Sequence, residues 1–134
     1  MKKFLLMLSL MLCSVSFATE SMQVAVHTTA PITVPQHISF EECSKFFAID
    51  QEKLFYLTLS SLSANRFSID EVQSSTGYII FTANRHKYLA TIAGVDNSNS
   101  VLKITPENNV YHFPPGILIN TFKYIDMNVG TEIK

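Results

Sequence analysis

The chain is poor in the residues that staple small folds or announce chemistry. Only two cysteines and four glycines occur among its 134 residues, and charged side chains make up 16%. Cys13 lies in an N-terminal segment with the marks of a removable signal, so a mature chain keeps Cys43 alone. No internal disulfide can then form, and the core must hold the fold. Gly77, Gly94, Gly116 and Gly130 stand far apart, which excludes a glycine-rich phosphate loop. Neither a Gly-x-Ser-x-Gly nor a His-Glu-x-x-His spacing is present. Charges of both signs are interspersed without runs, so the chain shows no electrostatic footprint for nucleic acid or an anionic membrane. No apolar stretch reaches the ~20 residues that a membrane-spanning helix needs.

What is present begins with a secretory pattern. Lys2-Lys3 is a basic start, Phe4 to Leu12 is apolar apart from Ser9, and Ser16-Phe17-Ala18 offers small residues at the positions a signal peptidase reads. The spacing predicts a signal peptide over residues 1–18, cleaved near Ala18, and a periplasmic or secreted product. Removing those 18 residues from 134 leaves 116, enough for one domain, with eight basic against eleven acidic residues and a net charge of −3. The bulk of Leu12 just before Cys13 argues against lipoprotein processing. Residues 19–38, rich in threonine and holding Pro31 and Pro35, read as an extended leader. Within it, Gln23–Val26 and Ile32–Val34 are each candidates for a short edge strand.

Residues 39–130 read as a single α+β domain. Ser39-Phe40-Glu41-Glu42 has capping-box spacing, which predicts a helix from Phe40 with Cys43, Phe46 and Phe47 on one face. Asp50 suits a second cap, and Leu54, Thr58 and Leu62 repeat at helical spacing to about Ala64, with Asn65 suited to the left-handed stop. One kinked helix or two both fit residues 40–64. Phe67 and Ile69 then alternate as a strand, and Ser74 to Gly77 supplies a turn with Gly77 free to take positive φ. Tyr78 to Phe81 runs β-prone, Ala83 to His86 reads as a hairpin loop, and Tyr88 to Ala93 returns. Leu102 and Ile104 mark a fourth strand, ended by Pro106, and Pro114-Pro115-Gly116 leads into a last helix with Leu118, Phe122 and Ile125 inward. The expected architecture is a four-stranded antiparallel meander, covered on one face by an N-terminal and a C-terminal helix. Its expected core is Leu54, Leu62, Phe67, Ile79, Phe81, Ile92, Ile104, Leu118 and Phe122.

The apolar helix, then Asn65-Arg66-Phe67-Ser68-Ile69, a polar turn with Gly77-Tyr78-Ile79, further strands and a closing helix resemble the helix-grip, TATA-binding-protein-like domains of bacterial envelope proteins such as BamC. The resemblance spans roughly Phe40 to Asp126, in apolar spacing and one glycine, and carries no functional motif. It implies a mostly non-catalytic assembly or binding role.

The candidate chemistry is sparse. His27, His37, His86 and His112 are spread along the chain without metal-ligand spacing, so no metal or cofactor is expected. Asp70 and Glu71, adjacent on a strand, should point to opposite faces and not act as a pair. The residues singled out for binding are Arg85, His86, Lys87 and Tyr88, three chargeable groups at a hairpin tip beside an aromatic. Tyr111 to Pro115 is a second aromatic segment, with Phe113 expected beneath the last helix. Two functions remain open: a non-enzymatic envelope module that binds an envelope protein or a cell-wall component, and a small apolar-ligand carrier or enzyme with a cavity between sheet and helix.

Overall fold

Asp50 starts the main helix, α1 (Gln51–Ala64), by accepting a 2.9 Å hydrogen bond from Lys53 N–H, with Glu52 in the positive first turn. The computed structural model describes residues 32–130; the signal segment, Cys13, Gln23–Val26 and His27 lie outside them. The other elements are β1 (Gln36–His37), a 3₁₀ turn (Glu41–Cys43), β2 (Ser44–Phe47), β3 (Ser68–Gln73), β4 (Tyr78–Ala83), β5 (His86–Asp96), β6 (Asn99–Pro106), β7 (His112–Phe113) and α2 (Gly116–Asn128). Five strands form one antiparallel sheet in the order β2-β6-β5-β4-β3, and β1 pairs with β7 in a separate two-stranded sheet. The fold is α+β, with five strands in the main sheet where four were expected.

The extra strand is β2. The capping box does form, with Ser39 N–H and Oγ donating to the Glu42 carboxylate at 2.9 and 2.8 Å, yet it supports only one 3₁₀ turn. The chain then extends and pairs with β6, Ser44 opposite Lys103 and Phe47 opposite Ser100. Strand alternation buries Phe47 and leaves Phe46 exposed, whereas the expected helix would have buried both. Pairing along β6 satisfies backbone groups that would otherwise be left at a sheet edge. The leader also contributes more than expected. Gln36 and His37 pair with Phe113 and His112, Ile38 N–H donates to Tyr111 O at 3.0 Å, and Ile38 is buried, so the domain begins before residue 39. Ile32–Val34 forms bends, not a strand.

Helix α1 ends in a Schellman motif one residue later than expected. Asn65 keeps φ −83°, and Arg66 takes the left-handed position at φ 62°. Arg66 N–H donates to Ser63 O and Phe67 N–H to Leu62 O, both at 3.0 Å, while Phe67 and Leu62 are buried. Gly77 takes φ 76° as expected. A Cβ there would lie 2.5 Å from Ile92 O, so glycine also permits β5 to come close enough for Ile92 N–H to donate to Gly77 O at 2.7 Å.

The inner face of the sheet presents Ile79, Phe81, Ala83, Tyr88, Ala90, Ile92, Leu102 and Ile104 to the helices, all buried in one cluster with Leu54, Leu62, Ile117 and Ile125. Eight of the nine expected core residues are buried; Phe122 is half-buried and packs edge-on against Phe47, with centroids 6.4 Å apart. The two helices meet through small polar side chains. Ser61 Oγ donates to Thr121 O at 3.1 Å, while Thr58 and Thr121 donate to their own i−4 carbonyls, so no hydroxyl is left unpaired where the axes approach.

Leu62 has no exposed surface and anchors both the cluster and the Schellman turn. Leu62→Ala is expected to cost ~2–5 kcal/mol in urea denaturation. In the same assay Arg66→Gly is expected to gain ~0.5–1 kcal/mol, because glycine relieves the left-handed strain by more than it adds in unfolded-state freedom.

Candidate functional site

Ala83 pairs directly with His86, so the β4–β5 connection is a two-residue turn of Asn84 (φ 49°) and Arg85 (φ 69°). Two successive left-handed residues match the right-handed twist of the flanking strands; asparagine suits the first position, and glycine would be the usual second. Arg85 instead holds a guanidinium at the tip, and it is exposed together with His86 and Lys87. Lys87 pairs with Thr82 on the face away from the helices. His86 lies on the opposite face, in alternation with Tyr88.

Tyr88 does not contact solvent as a ring. It is 1% exposed, stacks on Phe81 with centroids 5.5 Å apart, and meets the Phe113 ring edge-on at 5.3 Å. Of the four candidate residues, three share the exposed tip and the fourth supports it from the core. Burial pushes the Tyr88 phenol pKa up to about 12, so its hydroxyl keeps its proton.

Two features at this end of the sheet were not read from the sequence. The first is Arg66. It immediately precedes Phe67 and β3, whose first residue Ser68 pairs with Thr82, so Arg66 stands at the same sheet end as the hairpin. The chain has two arginines, both on left-handed backbone at this end, and among the described residues neither has an ion-pair partner. An arginine where a helix stop wants glycine was the available signal. The second is a cavity of about 110 Å³ beside the hairpin, lined by Asn84, His86, Tyr88, Asn108 and His112, with three prolines among its walls. His37 is the cross-strand partner of His112. Three of the four histidines, distant in sequence, therefore share this region. Among the described residues no group of three or more metal-ligating side chains is placed to hold an ion.

No protein-family model matches the chain, and no curated protein matches it.

Other candidate groups are structural. Cys43 is fully buried, and burial, then the charge of Glu42, pushes its pKa up to about 11, which disarms it as a nucleophile. Ser100 and Lys103 have Ser-x-x-Lys spacing, but on β6 they face opposite sides, and Ser100 Oγ donates to Ile49 O at 2.7 Å. Asp70 and Glu71 depart from the expected alternation. A bulge between Ile69 and Glu71 turns both carboxylates to the open face, where Asp70 accepts from Thr82 Oγ1 at 2.6 Å and Glu71 accepts from the Tyr78 hydroxyl. Each carboxylate is tied to its own hydroxyl. A thiol-specific reagent at about pH 8 should leave Cys43 unmodified in the folded protein and label it fully in urea; labelling of the native state would place Cys43 outside the core.

Proposed function

We propose that the protein is an exported, non-enzymatic binding or assembly module of the bacterial cell envelope, which engages an envelope protein or a cell-wall component at the Arg66–Arg85–Lys87 end of its sheet. The observation that carries this reading is the pair of exposed arginines on fixed left-handed backbone, beside Lys87, on a chain whose expected mature net charge is −3. Such a cluster favours an acidic partner, acting mainly on encounter and orientation within the ~8 Å Debye length of physiological salt. Export rests on the pattern of residues 1–18, and the envelope role on the resemblance to helix-grip domains. The alternative, an apolar-ligand carrier or enzyme, calls for a cavity between sheet and helices. Against it weighs the packing there: Leu54, Ile79, Ile92, Leu102, Ile104 and Ile117 are each at most 1% exposed.

Pull-down from envelope extract with the full chain tests the reading. Arg85→Ser with Lys87→Ser is expected to weaken partner recovery, more so at low salt, while stability stays within ~0.5 kcal/mol. Unchanged recovery at unchanged stability would make the tip a solubilising turn.

A further inference from the structure

The cavity beside the β4–β5 hairpin is lined by polar side chains as well as by prolines, with Tyr88 among them. Among the described residues every buried side-chain nitrogen or oxygen has a hydrogen-bond partner. Tyr88 Oη has none, so the 1% of Tyr88 that remains accessible lies at its hydroxyl, and the space this reaches is the cavity Tyr88 lines. A phenol whose ring is buried and whose hydroxyl opens only into this space offers its O–H to a group that enters it.

The walls extend that bias. Asn108 Oδ1 already accepts from Val110 N–H at 2.9 Å, which leaves the Asn108 amide hydrogens as the groups it offers. Asn84, His86 and His112 add further polar edges, and no aspartate or glutamate is among the lining side chains. Arg85 lies between two lining residues in the chain. The volume, about 110 Å³, is well below the ~300 Å³ at which drug-sized sites begin, and suits a small polar group with a short carbon stem.

We propose that this cavity is a carboxylate-binding subsite, in which Tyr88 Oη donates to a ligand oxygen and Asn108, His86 and His112 complete the shell. The carboxylate comes from a free small acid or from the side chain of an acidic peptide. The second source rests on the binding role proposed above; the first does not.

The test follows the histidine ring signals of the full chain by NMR during titration with acetate and, separately, with acetamide. Acetate is expected to shift the His86 and His112 signals saturably, and acetamide is not. Tyr88→Phe keeps the ring and its packing, and should weaken acetate binding by about tenfold or more while leaving the melting temperature unchanged. Should that variant fold poorly, Asn108→Asp keeps an acceptor for Val110 N–H, adds a negative charge to the wall, and is expected to abolish acetate binding. Equal binding of acetamide, or undiminished acetate binding in either variant, overturns the subsite. A capped triglutamate peptide separates the sources: affinity above acetate that falls in Arg85→Ser supports a peptide anchor, and affinity equal to acetate supports a free acid. Loss of envelope recovery with acetate binding intact removes the binding role alone, and the reverse result removes the subsite alone.

Discussion

Four aromatic rings in a row link the exit of the main helix, two neighbouring strands of the main sheet and the separate two-stranded sheet. Phe67 stacks on Phe81 with centroids 5.7 Å apart, Phe81 on Tyr88 at 5.5 Å, and Tyr88 meets Phe113 at 5.3 Å. Each ring comes from a different place: the exit of α1, β4, β5 and β7. Contacts of this kind contribute ~0.5–1.5 kcal/mol each beyond the apolar area they bury. Their larger effect is positional. Phe67 is drawn inward only because Arg66 takes the left-handed turn before it, and Phe113 is held beside β5 while its backbone pairs with the leader strand β1. The row thus holds the helix exit, the basic hairpin and the histidine-bearing β7 at one end of the sheet, beside the cavity that Tyr88 lines.

The two free edges of the main sheet are handled differently. At one side, β2 is only four residues long, and its Lys45 bonds Asp126 of α2 at 2.7 Å, an exposed pair that adds little stability but closes the corner. On the other side, β3 is mostly exposed and carries a bulge with two carboxylates beside it. A short edge and a bulged, charged edge both resist pairing with another chain. The contact proposed at the basic end accordingly does not depend on an open strand edge.

Legibility followed the length of the pattern available. Fourteen residues of α1 carry enough turns for Leu54, Thr58 and Leu62 to declare a face, and Asp50 declares its start. Gly77 was legible because a polar turn between two β-prone runs needs positive φ. The segment from Ser44 to Phe47 was not, since Cys43, Phe46 and Phe47 fit one face of a helix while Cys43, Lys45 and Phe47 fit one face of a strand. Only the unpaired side of β6 decides between them. The face of Tyr88 was open in the sequence for a related reason. Its face depends on the register set by the hairpin, and a turn one residue longer would have moved it to the open side. The cavity was beyond reach, because His86 and His112 become neighbours only after β1, β5 and β7 have been placed.

Arg66 and Arg85 bear on how such a site would work. Each occupies a backbone position where glycine would be more stable, and each is held there by neighbours that leave little choice: the Schellman hydrogen bonds in one case, the Ala83–His86 pairing in the other. Non-glycine residues in this conformation cost on the order of 1–2 kcal/mol apiece. The strain is therefore tied to charge placement, since the residue that would relieve it would also remove the cation. A cation whose Cα is fixed loses less freedom on meeting an anion than one on a mobile loop. That difference favours recognition of an acidic group by the folded end of this sheet over a merely solvating role for its charges.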